Sequence, residues 1–372
     1  MKRKRLLRLF NVLTILALIL SLLSPAVSAQ EVNRNAKHEP NAEARLAEMK
    51  RLVQKQTNAF NTGQILHATL ENVNDNEWVE VIVQFSEDPV ALAKGKKEIQ
   101  GKTFTKAEAK QVEKKVIDQH KNFEKQLKAL NIQYEKGYEF NKVLNGVALK
   151  VKGKDLDKIA QLDGVVRVDP NEERYALEVE QSGEVGAMMD RTNDFLNIPE
   201  LWEKGITGKG VKVAVLDTGI DYEHPDLKDV YKGGWNFVEH DPSLYKYERA
   251  KDDPYETTPN ERAEGAAEVS PTGHTFWTDH GTHVAGTIAA QGKNDHGIKG
   301  IAPDVELYAY RVLGAYGSGT TESVIAGIEK AVEEEMDVIN LSLGGSSTDE
   351  NTPDSIAINN AVLHGVTAVV SN

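Results

Sequence analysis

The feature that most limits the fold lies in the second half of the chain. Residues 211–216 are a continuous apolar run apart from Lys212, and residues 305–312, 338–341 and 366–370 are further strand candidates. A strand with one wet face alternates polar and apolar residues, whereas one buried on both faces runs continuously apolar. Helical patterns lie between these runs, at 280–290, 322–335 and 354–363. Buried strands alternating with helices predict an α/β unit, a parallel sheet with helices on both faces. Ligands on such sheets sit beyond the carboxyl ends of the strands, and chemistry-bearing residues are expected there.

The preceding region has a different style. Residues 78–85 are rich in β-branched side chains and predict a strand. Residues 106–130 predict a helix with Val112, Val116, Phe123, Leu127 and Leu130 on one face. Two strands follow, at 132–140 and 143–151, around a turn at Asn141-Lys142, then a short helix at 156–162 and a strand at 165–168. The order β-α-β-β-α-β predicts a ferredoxin-like α+β domain. Residues 30–75 are polar; 42–53 suits a helix, but no core is visible, and the segment reads as a leader or linker.

The N-terminus reads as an address. Lys2, Arg3, Lys4, Arg5 and Arg8 precede an apolar run over 9–23, and Val27 and Ala29 supply the small residues of a cleavage site. This is the pattern of a secretory signal peptide cut after Ala29. A membrane span needs about 20 apolar residues, so no stable membrane anchor is expected. The sequence has no cysteine, which excludes disulfides, cysteine-bound zinc and a thiol nucleophile. An exported chain of this kind relies on packing and metal ions for stability. The net charge of −13 is uneven: 1–29 carry +5, 30–180 sum to zero and 181–372 sum to −18. Such a surface repels nucleic acid and anionic lipid.

Two motifs carry chemistry. Asp217 ends the first apolar strand in Val213-Ala214-Val215-Leu216-Asp217-Thr218-Gly219, where a carboxylate is partly buried yet faces the cleft. His280 opens a helix of small residues in Asp279-His280-Gly281-Thr282-His283-Val284-Ala285-Gly286-Thr287. Gly281, Ala285 and Gly286 allow another backbone to approach. A histidine there can hold a carboxylate on one nitrogen and serve a nucleophile with the other. Asp279, His280 and His283 also have metal-ligand spacing, but the glutamate of the zinc-protease helix motif is absent, so no zinc is expected.

Together the two motifs resemble the subtilisin-like serine proteases (subtilases), with Asp before His as in that family's chain order. His224-Pro225-Asp226-Leu227, Gly317-Ser318-Gly319 and Asn340-Leu341-Ser342-Leu343-Gly344-Gly345 agree with the resemblance, which covers residues 201–372. The preceding domain, 76–177, resembles the family's inhibitory and folding propeptide. The resemblance implies that Asp217 orients His280 and that His280 moves a serine proton. It implies that Gly317, Ser318, Gly319, Ser342, Leu343 and Gly344 flank an extended peptide substrate, which adds between them as a strand. It also implies a structural calcium site, with side-chain oxygens from Asp226 and Asn294 and carbonyls from Gly292, His296 and Ile298. Processing is expected near Leu177, within residues 175–184, with the propeptide acting as an intramolecular inhibitor.

The sequence departs from the family in two places. No Gly-Thr-Ser, the motif of the nucleophile, occurs in the 372 residues, and the Gly-Asn of the oxyanion donor would follow beyond Ser371-Asn372. The chain therefore reads as an N-terminal fragment of a secreted endopeptidase precursor with an incomplete subtilisin-like sheet (178–372), inactive as given. A non-catalytic subtilase-like binding module and a metal-dependent hydrolase using His280 and His283 are the alternatives. The second departure is residues 236–278, with nine acidic and four basic residues and four prolines, expected to be a solvated acidic insertion.

Overall fold

A computed structural model describes residues 42–60, 63–177, 189–293, 297–347 and 349–371. The expected signal peptide lies outside these residues. No helix among them is long and apolar enough to cross a membrane.

The first unit is built on a four-stranded antiparallel sheet, order β2-β3-β1-β4, from β1 (Trp78–Phe85), β2 (Tyr134–Phe140), β3 (Gly146–Lys152) and β4 (Val165–Pro170). The helices α1 (Ala42–Phe60), α2 (Val90–Glu98), α3 (Lys106–Ala129) and α4 (Leu156–Ala160) accompany it. A capping box starts α3, with Thr105 and Glu108 each bonding the other's backbone N–H. One sheet face packs Val81, Val83, Phe85, Val147, Leu149 and Val151 on Phe123 and Leu127 of α3 and on Leu156 and Ile159 of α4. This is the split β-α-β-β-α-β arrangement, with α2 as an added helix.

The second unit contains a five-stranded parallel sheet in the order β12-β10-β6-β8-β7. Its strands are β6 (Lys212–Asp217), β7 (Tyr231–Asn236), β8 (Glu306–Arg311), β10 (Val338–Leu341) and β12 (Thr367–Val370). Two short helices, α5 (Met189–Phe195) and α6 (Ile198–Glu203), precede it; α7 (His280–Ala289), α8 (Thr321–Glu333) and α9 (Pro353–His364) cover it. Alternate residues of β6 face opposite ways: Val213 and Val215 join Ala285 and Ala289 of α7, while Ala214 and Leu216 join Val324, Ile325 and Ile328 of α8. Strands β8 and β10 flank β6, so the carboxyl end of β6 sits where the connections part, the place where α/β sheets open a crevice.

Three sequence expectations change. Strand β7 was not foreseen, because Gly233 and Gly234 interrupt its pattern. Gly234 is required there: a Cβ on it would lie 1.9 Å from the Ala309 carbonyl oxygen of β8. The 30–75 segment is no bare linker where it is described. Met49 and Leu52 of α1 pack with Leu92 of α2 and Leu363 of α9, and Gln56 donates to Asn360 Oδ1 at 2.6 Å. Leu66 bridges Val168, and Leu70 is buried in the first unit's core. The 236–278 insertion is mostly irregular, as expected, but it is not simply solvated. Tyr245, Glu256, Thr257, Glu261 and Phe276 are all buried.

The two units share a core. Ile82, Ala91, Phe140, Val143, Leu144 and Ala148 of the first form one cluster with residues of β6, α8 and α9. Around it, Glu329 of α8 accepts the backbone N–H groups of Asn141, Lys142 and Val143 at 2.5–2.9 Å. Arg174 donates to both carboxylate oxygens of Asp354 on α9, at 2.8 and 3.1 Å.

Candidate active site

Asp217 stands at the carboxyl end of β6 and is 1% exposed. The chain turns at once through Gly219, whose φ is +117°, and a Cβ there would meet the Pro254 and Tyr255 carbonyls at 2.7–2.8 Å. Helix α7 starts against this turn. A Cβ on Gly281 would lie 2.0 Å from the Gly219 carbonyl, so the expected close approach is real at that position. At Gly286 a Cβ would meet nothing within 4 Å, so that glycine serves no such contact.

This packing brings His280, the first residue of α7, to Asp217. Nδ1 of His280 lies 2.7 Å from Asp217 Oδ1, which also accepts the Thr218 N–H at 2.7 Å. On the other side, Nε2 lies 3.1 Å from the carbonyl oxygen of Leu177. A carboxylate and a carbonyl can only accept, so this geometry calls for a proton on both ring nitrogens. Burial lowers the imidazole's pKa, but the hydrogen bond and charge of Asp217, the Leu177 carbonyl and the charge of Glu256 outweigh it and raise the value above the ordinary one.

Leu177 reaches His280 at the end of an extended tail. Strand β5 (Glu173–Ala176) lies antiparallel between β9 (Ser318–Thr320) and β11 (Leu343–Gly344). Arg174 pairs with Gly319 and Tyr175 with Ser318 on one side; Tyr175 pairs with Gly344 and Ala176 with Leu343 on the other. The Leu177 N–H then donates to the Ser342 carbonyl at 3.2 Å. A Cβ on Gly344 would lie 3.2 Å from a Leu177 methyl, so glycine leaves room for that side chain. Gly317, at φ +67°, turns the chain into β9. All six expected flanking residues therefore gather around the tail. Of the expected processing window, residues 178–184 lie outside the described residues.

Asp279, His280 and His283 do not come together as a metal trio. His280 is committed to Asp217, His283 is exposed, and no group of three such ligands forms among the described residues. Of the expected calcium ligands, Asn294 and His296 lie outside the described residues. Of the others, Asp226, 4% exposed, accepts the Gln291 N–H on its carbonyl and the Lys293 N–H on Oδ1 at 2.5 Å, and a Gln291–Lys299 bridge joins the segments that carry Gly292 and Ile298. Asp226 is the side-chain oxygen donor of the expected set among the described residues, a ligand type that suits a hard cation such as calcium.

Residues 208–372 match the subtilase family, and residues 80–177 match peptidase inhibitor I9. The chain carries a subtilase domain behind an inhibitor I9 domain. The minor extracellular protease Vpr of Bacillus subtilis (strain 168) is 39% identical over 301 residues, 78% of this chain and 33% of that protein. The major intracellular serine protease of the same organism is 42% identical over 175 residues, 47% of this chain and 46% of that protein. Fervidolysin from Fervidobacterium pennivorans aligns at 22% identity with a TM-score of 0.47, over 82% of this chain and 41% of its own. The chain thus spans a third to a half of the relatives it matches. In subtilase terms, the dyad and its flanking strands were legible from local motifs. What sequence reasoning missed was Glu256, which packs behind the dyad from within the insertion; no local pattern marks it.

Proposed function

We propose that this chain is the precursor part of a secreted, subtilisin-like serine endopeptidase, held shut by its own inhibitor domain. The observation that carries the reading is the Leu177 carbonyl beside His280 Nε2, at the end of a tail paired as a strand on both sides. A peptide so placed looks like the acyl half of a substrate. Asp217 would hold the imidazole and stabilise its cation, and His280 would take the serine proton and return it to the leaving amine. Segments 317–319 and 342–344 would present substrates by main-chain bonds, with Leu177 marking an apolar specificity pocket and the processing point. The 372 residues contain no Gly-Thr-Ser. Ser318 and Ser342 sit in the flanking segments, so a polypeptide of these residues alone has no acyl-enzyme route and is expected to be inactive.

The test uses the protein expressed from its whole gene. Labelling by a serine-directed phosphonate, insensitivity to chelators of zinc, and loss of peptide hydrolysis in His280→Ala are expected. Hydrolysis surviving in His280→Ala would overturn the reading, and absence of any labelling would favour a non-catalytic binding module.

We also propose that Asp226, Gly292, Asn294, His296 and Ile298 hold a structural calcium ion that ties the 291–299 loop to the turn after β6. Added calcium should raise the melting temperature of the parent, and Asp226→Ala should remove that response. An unchanged response in the variant would defeat the assignment.

A further inference from the structure

Glu256 lies in the middle of the acidic insertion, yet it is 4% exposed and sits behind the dyad. Its Oε1 accepts the Thr282 N–H at 2.8 Å and the Thr282 hydroxyl at 3.0 Å. Its Oε2 accepts the Thr278 hydroxyl at 2.6 Å, and the Thr218 hydroxyl bonds it as well. No lysine, arginine or histidine pairs with it among the described residues.

The threonines favour its charged form. Each hydroxyl already accepts a backbone N–H: Thr218 from Gly281 at 2.9 Å, Thr278 from Thr257 at 3.1 Å, and Thr282 from Asp221 at 2.8 Å. Each therefore has its own proton left to donate, and the Glu256 carboxyl group is within reach of all three hydroxyls. With the Thr282 N–H, four donors meet one carboxyl group, and donors of this kind favour its ionised form. Burial and, less, the charge of Asp217 raise its pKa above the ordinary carboxyl value; the Thr278 and Thr218 hydroxyls and the Thr282 N–H, which favour the charged form, offset part of that rise.

The location gives this anion a task. Thr218 belongs to the turn that carries Asp217, and Thr282 belongs to the first turn of α7, which carries His280. Glu256 ties those two pieces together. It also answers an electrostatic problem. His280 is the first residue of a helix, where the unpaired N–H groups disfavour a positive imidazole. Asp279, at the N-cap, makes no side-chain capping bond. The charged and polar groups facing His280 are Asp217, the Leu177 carbonyl and, behind the helix start, Glu256.

We infer that Glu256 is a positioning residue of the subtilase site, a second buried carboxylate that caps the His280 helix and supports the imidazolium by acting on its orientation and field. The inference rests on reading Asp217 and His280 as the catalytic dyad.

The test is a pH titration of His280 by NMR in the full chain with labelled histidine. Glu256→Gln, which keeps an acceptor for the Thr282 N–H but removes the charge, should lower the His280 midpoint by about half a pH unit, a threefold loss of proton affinity. Glu256→Asp should restore most of it. Asp217→Asn is the control for the parent reading and should shift the midpoint further. An unchanged midpoint in Glu256→Gln alongside a shifted one in Asp217→Asn overturns the role of Glu256 and spares the dyad. Unchanged midpoints in both defeat the dyad itself. If Glu256→Gln fails to fold, the carboxyl carbon of Glu256 in the parent decides: an ionised signal from about pH 5 to 8 supports the inference, and a protonated one refutes it.

Discussion

The inhibitor domain and the subtilase domain divide their sheet faces differently. In the inhibitor domain, Val81, Val83 and Phe85 of β1 point under its own helices, while Ile82, between them, points into the core of the other domain. Strand β3 repeats the division, with Val147 and Leu149 inward and Ala148 across. The subtilase sheet needs no such help. Its β6 buries Val213 and Val215 under α7, and Ala214 and Leu216 under α8. One domain thus covers both sheet faces itself, and the other borrows helices α8 and α9 for one face. An interface made this way resembles a domain core cut in half, which is the character of tight, apolar interfaces. The borrowed face also fixes where β4 and β5 run, and so delivers Leu177 to His280.

Three experiments would break or sharpen the comparison. The largest effect is expected from Asp354→Ala, which takes the bidentate partner from the 4% exposed Arg174 and leaves it the Glu172 carboxylate at 3.1 Å, so the loss should fall toward the low end of the buried-pair range. Removing one member of a buried pair costs about 3–5 kcal/mol. In urea unfolding, the inhibitor domain should come away and melt before the subtilase domain; a single unshifted transition would show that docking does not depend on this pair.

Core truncation separates the two faces. Ile82→Ala and Leu149→Ala each remove a buried side chain at a cost of about 2–5 kcal/mol. Ile82→Ala should weaken docking and split the unfolding curve while leaving the inhibitor domain's own transition in place. Leu149→Ala should lower that transition itself. Identical curves for the two variants would contradict the division of faces.

The smallest effect is on pH. Glu322 of α8 accepts the Tyr138 N–H under the inhibitor domain at 2.5 Å. Burial, with the charges of Glu239 and Glu80, pushes its carboxyl up to about 7 from 4.5. A carboxyl raised on docking binds its proton more tightly in the docked state. Docking should therefore be strongest below about 4.5 and weaken as pH rises through about 7. Burial pushes Glu329 of the same interface up to about 7 as well, so the urea midpoint of the first transition should fall over that range, less steeply in Glu322→Gln and flat only when Glu329→Gln is added. A midpoint that rises with pH would reverse the assignment.

Much of this was legible along the chain. The elements with strong periodicity stand where their patterns put them: β1 covers 78–85, α3 covers 106–129, and β6, β8, β10 and β12 follow the apolar runs. Asp217 and His280 were legible because each sits in a short, specific motif, Asp217-Thr218-Gly219 and His280-Gly281-Thr282-His283. Strand β7 was not, since its glycines answer a contact with Ala309 that only the folded sheet creates. Helix α1 has a modest apolar stripe, and its meaning depends on Leu363, some 300 residues away. Glu256 carries no local mark at all, because its partners Thr218, Thr278 and Thr282 come from other segments.

By itself, then, the sequence determined what depends on neighbours in the chain: element type, the order of the two domains and the dyad's residue types. These follow from side-chain periodicity and from backbone conformations that particular residues permit. Only the tertiary structure decided which sheet face is shared, that the Leu177 carbonyl meets His280, and that a carboxylate from an acidic insertion is buried behind the dyad. Those outcomes depend on desolvation and on the pairing of donors with acceptors across distant segments, and no spacing along the chain encodes them.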